Sequence, residues 1–357
     1  MGLLRRLRSG RIIALDIGSA ALKLLVMERQ ASGALSVVDF RLIQVGAGGK
    51  LGNVNDLAVV VGPIMREVGA GKASVRAAIC GRHAVIRVIE MPKVPAEEVK
   101  RAVAFQLGRY VPIPAEEVVY DCQLLAGLRA REGMQRVLLV ALRRSVVEQH
   151  TRALREAGVE PMLLDVEPLA SFNALAALGA DFDRYAGIPH LGEGDVCIVH
   201  FGVVHTDLCA VRDGMPLACR ALEIGEMELM RDVGTTLHLE AGEALKEMES
   251  GMSGKGGVAG CYERYGQRVA AEIKSSFEYL RREAEYGCAR VYLSGGLADR
   301  PGVAELMTRL LGVPALRFDP LVNVNLEQLE NRVGALREQA ATFVPAVGLG
   351  VRRLAVE

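Results

Sequence analysis

Two segments of the chain share one pattern, and this internal duplication constrains the fold more than any other feature of the sequence. The first segment, Ile13–Val26, reads IALDIGSAALKLLV, and the second, Ile198–Ala210, reads IVHFGVVHTDLCA. Each has an apolar run that ends in a polar residue, then a glycine turn and a second apolar run. The equivalent polar residues, Asp16 and His200, lie 184 positions apart. The pattern therefore predicts two strand–turn–strand units in two similar lobes.

The segments around the repeat alternate between strand-like apolar runs and helical periodicity, which predicts a layered α/β protein. Half of the 357 residues are apolar and 24% are charged, which is typical of a globular protein with a sizeable core. At about 150 residues per domain, this length predicts two or three domains. A stretch rich in Gly, Pro and Asp, residues 181–194, is the expected boundary between the lobes.

Charge and cysteine content argue against several classes of protein. The 43 basic residues balance 43 acidic residues, so no basic surplus indicates nucleic-acid binding. The seven cysteines include no C-x-x-C pair, so the sequence predicts neither a zinc site nor a disulfide framework and favours a reducing compartment. No uninterrupted apolar run approaches the ~20 residues of a membrane-spanning helix.

The first eleven residues combine apolar and basic side chains. Leucines would share one helical face among arginines in this segment: Leu3, Leu4, Leu7, Arg5, Arg6, Arg8, Arg11. Such a segment can make a peripheral contact with an anionic membrane surface, or it can be a frayed tail. The sequence leaves both interpretations open.

The two glycine turns carry residue types suited to phosphate. Small residues let backbone N–H groups approach phosphate oxygens, a strand-end carboxylate can hold hydrated Mg²⁺, and a nearby lysine supplies positive charge. A third element, Val291–Val303, has a strand, a Gly-Gly turn and a helix start, which would pack beside an adenine ring. Asp16 is the expected Mg²⁺ ligand, through water. The candidate cofactor contacts are Asp16, Gly18, Ser19, Ala20, Lys23, Gly202, His205, Thr206, Gly295 and Gly296.

These three elements in this order resemble the actin-like ATPase superfamily, and the chain is most similar there to the PilM family of type IV pilus assembly. The segments Met91–Pro95 and Ala104–Pro114 resemble that family's distinctive helix followed by an IPFP stretch. Other segments match the family in order, so that the resemblance covers about residues 11–353: Asp16–Leu24, Val140–Glu148, Ala157–Ala170, Ala346–Arg352.

The resemblance implies the two-lobed actin-like ATPase fold, a duplicated ribonuclease H-like α/β fold, with an FtsA-like small domain inserted in the first lobe. The expected divisions begin with a basic tail at 1–10. The first lobe is expected at 11–41 and 118–185, together with a C-terminal helix at 344–357, and the insert at 42–117. The second lobe is expected at 186–343, with a helical subdomain at about 226–285.

The resemblance also implies a cytoplasmic scaffold that is peripherally associated with the inner membrane and serves type IV pilus or related type II secretion assembly. Such a protein would bind ATP and Mg²⁺ between its lobes. It would hold the N-terminal tail of a PilN-like membrane protein in a groove beside the insert. Other pilus-assembly proteins are expected partners, nucleic acid is not, and the sequence leaves open whether the chain forms a homodimer.

The second phosphate turn departs from the family pattern. His200 stands where the family has Asp, and neutral imidazole is a poor ligand for hard Mg²⁺. Val203 and Leu297 replace small residues of the second turn and of the adenosine motif, and Asp207 lies one strand position from the usual place. We therefore expect ATP hydrolysis to be weak or absent. His200 as a plain core or cleft histidine is an equal alternative.

The remaining candidates each have two interpretations. Glu167 lies in a Glu-Pro-Leu-Ala segment that resembles the turn by which chaperone ATPases hold a metal-bound water. On that interpretation Glu167 is a catalytic candidate together with Asp16. On the other interpretation its carboxylate only stabilises the N-terminus of a helix. Glu243 and Lys246 match a family helix that lines the ribose, or they form a solvated surface pair. His205 contacts the cofactor or is a bystander. The glycine-rich segment Ser250–Gly260 is interpreted as a surface loop.

Two other functions stay open at this stage. A small-molecule kinase of the same superfamily would need a carboxylate base, for which Asp165 is the candidate. An FtsA-type protein would form filaments with ATP.

Overall fold

The computed structural model describes residues 10–30, 34–44, 54–187, 194–254 and 257–352. Residues 1–9 of the predicted basic tail at 1–10 lie outside these ranges, so the membrane contact of that tail stays a prediction. The strands are β1 (Arg11–Ile17), β2 (Ala21–Arg29), β3 (Leu35–Gln44), β4 (Ser74–Ile79), β5 (Ala84–Pro92), β6 (Val118–Leu124), β7 (Met134–Arg143), β8 (Leu163–Val166), β9 (Asp195–Phe201), β10 (Thr206–Arg212), β11 (Met215–Leu222), β12 (Arg290–Gly295) and β13 (Ala315–Arg317).

Helices connect these strands and cover the sheets. They are α1 (Val54–Glu67), α2 (Ala96–Ala104), α3 (Leu107–Tyr110), α4 (Arg144–Glu156), α5 (Glu167–Tyr185), α6 (Glu226–Leu237), α7 (Ala241–Glu247), α8 (Val258–Ala284), α9 (Val303–Leu311), α10 (Val333–Glu338) and α11 (Val344–Val351). Within the described ranges, none of them is long and apolar enough to cross a membrane.

The predicted duplication is confirmed by the sheet topology. One five-stranded sheet has the order β3-β2-β1-β4-β8, and the other has the order β11-β10-β9-β12-β13. In both, the first two strands of the repeat are antiparallel, and the crossover strand returns parallel to the first. The register is also repeated, since Asp16 lies opposite Lys23 and His200 lies opposite Asp207.

The central strands read as continuous apolar runs because both faces of each sheet are covered. In β1, Ile13 and Leu15 face a core formed with α1 and α4, whereas Ile12 and Ala14 face a core formed with α11. In β9, alternate residues likewise face α6, α8 and α9 on one side and α5 on the other. The helices α5 and α11 therefore lie between the two sheets.

A third sheet, of order β5-β7-β6, packs against α2 and α3 and corrects the boundary expected for the insert. The expected insert, 42–117, includes α1 and β4, but β4 pairs with β1 in the first sheet, and α1 packs on that sheet. Because β4 runs parallel to β1, the chain between the two sheet strands needs a crossover connection, which includes α1. Conversely, β6 and β7 complete the small sheet, although 118–185 was expected to belong to the first lobe.

Several element boundaries also differ from expectation. The family's single helix in the 91–114 segment is two helices here, α2 and α3, because the backbone of Gln106 (φ −113°, ψ 5°) leaves the helical region. The expected lobe boundary at 181–194 overlaps the end of α5. The segment Ser250–Gly260 is only partly a loop, because Met248–Ser253 forms a 3₁₀ turn and α8 begins at Val258.

The close crossing of α5 and α11 depends on a glycine. A Cβ atom at Gly348 of α11 would lie 1.7 Å from the carbonyl oxygen of Ala170 in α5, so a side chain there would force the helices apart. Because α5 and α11 fill the space between both sheets, such a displacement would disturb two cores at once.

We expect Gly348→Ala to lower the free energy of unfolding by about 3 kcal/mol, because overpacked cores respond with strain of this order. The control is Gly242→Ala in α7, where an added methyl group meets open space, and the expected change is below ~1 kcal/mol. Urea denaturation followed by circular dichroism measures both. Equal stability of the two variants would contradict the helix crossing described here.

Candidate functional site

Polar side chains from both halves of the repeat meet between the lobes and are buried there. The first sheet supplies residues from the ends of β1, β2 and β4 and from the start of α5, and the second sheet supplies residues from β9, β10 and the turn between them. We call this set the cleft cluster; its members are Asp16, Lys23, Cys80, Glu167, His200, His205 and Asp207.

The first-lobe part of the cluster is an ion pair over a glycine turn. Lys23 Nζ lies 3.0 Å from Asp16 Oδ2. A Cβ atom at Gly18 would be 2.9 Å from the carbonyl oxygen of Ala21 and 2.8 Å from that Nζ atom, so glycine suits the tight turn beneath the lysine. Burial raises the pKa of the Asp16 carboxyl, although the charge of Lys23 opposes this. In the described part of the chain, Asp16 Oδ1 accepts no hydrogen bond and Oδ2 faces the ammonium of Lys23.

Two histidines join the second lobe to Glu167. His200 Nε2 is 3.3 Å from Glu167 Oε1, and His200 Nδ1 is 3.1 Å from Ser294 Oγ. His205 Nε2 is 3.8 Å from Glu167 Oε2 and 3.1 Å from Asp207 Oδ2. His200 is therefore a cleft histidine that bridges the lobes, which agrees with the alternative of a core or cleft histidine given above.

These contacts shift the pKa values of two groups in opposite directions. Burial alone would raise the pKa of Glu167, but the hydrogen bond from His200 and the charge of Lys23 lower it to about 2. Burial alone would lower the pKa of His205, but its hydrogen bonds with Asp207 and Cys80 raise it to about 11. The lobes are thus held together by opposite charges in a buried setting.

The second phosphate turn uses its polar groups internally. The N–H of Gly202 donates to the carbonyl of His205 at 3.0 Å, and the hydroxyl of Thr206 donates to the carbonyl of Ile224 at 2.7 Å. In the first turn Ser19 is half-buried and Ala20 is buried. The contacts of Gly202, Thr206, Ser19 and Ala20 with a cofactor stay predictions, and the N–H of Gly202 and the hydroxyl proton of Thr206 already have partners within the protein.

The expected adenosine motif brings a further carboxylate to the site. Gly295 has a φ of 91°, and a Cβ atom there would lie 2.1 Å from the carbonyl oxygen of Phe201, so packing of the sheet itself requires this glycine. Gly296 faces Glu226, whose Oε1 accepts the N–H of Leu297 at 3.0 Å. Glu226 is the first residue of α6, and sequence reasoning did not include it among the candidates. The sequence feature that could have pointed to Glu226 is its position directly after Gly225, where an acidic residue is typical of a helix N-terminus.

Two other candidates have local partners. Glu243 Oε2 accepts the N–H of Glu240 at 3.3 Å and so caps α7, while Lys246 is exposed on the same helix. Their contact with a ribose stays a prediction. Asp165, the candidate kinase base, forms an ion pair with Arg352 and lines a separate cavity beside the third sheet.

Comparison with known proteins places this architecture. The family model described as "Type IV pilus assembly protein PilM" matches residues 14–354. The chain belongs to the PilM family. A solved structure described as "PilM-PilN type IV pilus biogenesis complex" is similar over 96% of this chain and 99% of that chain, with a TM-score of 0.81 and 25% identity. The ethanolamine utilization protein EutJ from Carboxydothermus hydrogenoformans is similar in fold, with a TM-score of 0.52 and 15% identity over 95% of this chain and 88% of that chain.

The family match and the fold confirm the resemblance that the repeat and the 91–114 segment indicated. The fold is that of the actin-like ATPases, with two duplicated sheets and a site between them. In this member of the PilM family the second half of the site contains His200 and His205 next to Asp207.

We expect the free energy of unfolding to fall as the pH rises from about 7 to about 10, by about 2 kcal/mol more in the wild type than in His205→Gln. A group whose pKa rises from 6.5 to about 11 on folding stabilises the folded chain fully below pH 6.5, and this stabilisation is lost as the pH approaches 11. Urea denaturation across this range, in buffer with a chelator, measures the difference.

The matched control is His150→Gln, since burial lowers the pKa of this α4 histidine and both states are then neutral throughout the alkaline range. An alkaline slope that is the same in wild type, His205→Gln and His150→Gln would contradict the ion pair between His205 and Asp207.

Proposed function

We propose that the protein is a scaffold of type IV pilus assembly, or of a related secretion machine, that binds the N-terminal tail of a PilN-like membrane protein. The family match and the solved relative, which is described as a complex of PilM with PilN, support the partner. The observation that carries the proposal in this chain is a cavity of about 470 Å³ between the third sheet and the first lobe.

The cavity suits an extended, partly apolar peptide. Its walls come from β6, β7, β8 and α5 and include Leu138, Val140, Leu164 and Phe172. Strand β6 is an edge of its sheet, and an edge strand can pair with a further extended segment while side-chain pockets select the sequence. Arg352 also lines the cavity and offers a charged group for a polar end of the peptide.

We further propose that ATP with Mg²⁺ binds between the lobes. Asp16 Oδ1, which is buried and accepts no hydrogen bond from the described residues, suits hydrated Mg²⁺, and Lys23 suits a phosphate. Gly296 has no side chain to stand between a flat ring and the β12 turn, and Glu226 lies beside it, 3.4 Å from where a Cβ atom would be. The Mg²⁺ ion would neutralise phosphate charge between the two sheets, and the bound nucleotide would favour one arrangement of the lobes over another.

Hydrolysis of that nucleotide is proposed to be weak or absent. A general base must be free to accept a proton from the attacking water. Glu167 instead contacts both His200 and His205, and its lowered pKa makes it a weak base. His200, which replaces the usual Asp, has partners on both ring nitrogens. The small-molecule kinase alternative needs a free carboxylate base, but its candidate, Asp165, is paired with Arg352. The alternative of an FtsA-type filament-forming protein stays a prediction.

The proposed place of work is the cytoplasmic face of the inner membrane, where the tail of a PilN-like protein would be accessible. The partner would then hold the scaffold at the membrane. A contribution of residues 1–11 to membrane contact, and the formation of a homodimer, stay predictions.

We expect Lys23→Ala to weaken ATP binding by about 10- to 100-fold, since hydrogen bonds to charged groups contribute ~1.5–3 kcal/mol. Isothermal titration calorimetry with Mg-ATP measures the affinity. Lys274→Ala, at an exposed position of α8, removes the same charge away from the cleft and is expected to leave it unchanged. Gly296→Val is a second probe, whereas Gly295→Val would strain the strand itself. Unchanged affinity in both Lys23→Ala and Gly296→Val would overturn the nucleotide site.

We expect Val140→Glu to weaken binding of a synthetic peptide of a PilN-like N-terminal tail by about tenfold or more, because a charge would then line an apolar groove. Fluorescence anisotropy of the labelled peptide measures the affinity. The matched control is Val59→Glu, at an α1 valine that is 76% exposed. If both variants bind the peptide as tightly as the wild type, the groove is not the tail site.

A further inference from the structure

Three side chains of different chemistry converge in the cleft cluster in the manner of metal ligands. Cys80 Sγ, a carboxylate oxygen of Glu167 and a ring nitrogen of His205 all lie within 4.8 Å of one another, and all three residues are buried. Nothing in the scaffold function requires a thiol at this position. The cysteine follows β4 directly, so the first sheet holds it in place.

We propose that Cys80, Glu167 and His205 form a binding site for a transition-metal dication of the zinc type, which joins the two lobes. A thiolate, an imidazole and a carboxylate are the ligand set of Zn²⁺ and similar borderline metals, whereas Mg²⁺ prefers oxygen ligands alone. Cys80 and Glu167 belong to the first lobe and His205 to the second, so the bound ion would bridge the cleft.

The distances agree with a tetrahedral site. With metal–ligand bonds of ~2.0–2.3 Å, neighbouring ligand atoms of a tetrahedral zinc lie about 3.5 Å apart. His205 Nε2 is 3.6 Å from Cys80 Sγ and 3.8 Å from Glu167 Oε2. Asp207 Oδ2, at 3.1 Å from the same nitrogen, can complete the set as a fourth ligand.

The charge and hydrogen bonding of the cluster favour a cation at this point. The cluster holds three buried carboxylates, Asp16, Glu167 and Asp207, and Lys23 pairs with Asp16 alone, so a dication that replaces the proton of His205 would keep positive charge beside Glu167 and Asp207. Asp207 Oδ1 is buried without a hydrogen-bond donor in the described residues. A Cβ atom at Gly81 would lie 2.5 Å from that oxygen, so glycine there lets the Cys80 turn approach it closely. A dication bound to the thiolate and the neutral imidazole would release the protons of both groups.

The site shares the cleft cluster, and the candidate cofactor contact His205, with the proposed nucleotide site, but it uses neither Lys23 nor the cavity beside the third sheet, so the two sites are tested separately. The test uses the purified, tag-free full chain, stripped with a chelator and without nucleotide. Competition between the chain and a chromophoric chelator for Zn²⁺ measures affinity and stoichiometry. Titration with Co²⁺ reports the thiolate through a ligand-to-metal charge-transfer absorption.

We expect one Zn²⁺ per chain, a thiolate–Co²⁺ absorption band, and a higher melting temperature with Zn²⁺ than without it. Loss of a ligand in Cys80→Ser or His205→Gln should weaken Zn²⁺ binding at least 10- to 100-fold, since even outer-sphere changes have effects of this size. Cys80→Asp keeps a ligand atom and should retain part of the affinity while losing the absorption band. Cys288→Ser removes a half-buried thiol outside the cluster and should behave as the wild type.

Absence of stoichiometric Zn²⁺ binding by the folded wild type would overturn the proposal. So would an affinity in Cys80→Ser equal to that of the wild type. A chain that binds Zn²⁺ but not Mg-ATP would sustain this site and refute the nucleotide part of the proposed function. The opposite result would refute the metal site alone.

Discussion

The contact of Glu167 with His200 and His205 is the interaction on which the arrangement of the two lobes depends. Glu167 begins a helix that belongs to the first lobe, and both histidines belong to the second. All three are buried, so loss of one partner would leave a charge without compensation, at a cost of about 3–5 kcal/mol for such pairs. Lobe closure in this chain is therefore tied to the charge state of a few side chains.

The duplicated sheets place these side chains at equivalent positions with the order of charges reversed. In the first lobe the acid, Asp16, is on the first strand of the repeat and the base, Lys23, is on the second. In the second lobe His200 is on the first strand and the acid, Asp207, is on the second. Each repeat thus pairs its own acid with its own base, and the contacts across the cleft come from Glu167, which lies outside the repeat.

The sequence predicted the duplicated sheets, the alternation of strands and helices, and the family. It did not predict which residues that are distant in sequence come together in the folded chain. The 184-residue offset predicted two similar sheets, and strands buried on both faces were recognisable as apolar runs. The insert boundary was wrong because local patterns do not show that β4 pairs with β1. Cys80 drew no attention, since the chain has no C-x-x-C pair and its neighbours in space, Glu167 and His205, are far away in sequence.

Helix α5 connects the two regions of interest, because Glu167 at its first residue lies in the cleft cluster, and Leu169 and Phe172 in its first two turns line the cavity beside the third sheet. A rigid element that touches two binding regions links their equilibria. If a peptide in the cavity changes the binding affinity of a ligand in the cleft by some factor, that ligand must change the affinity of the peptide by the same factor. If α5 transmits occupancy in this way, a membrane-tethered peptide and a ligand in the cleft would each report the presence of the other.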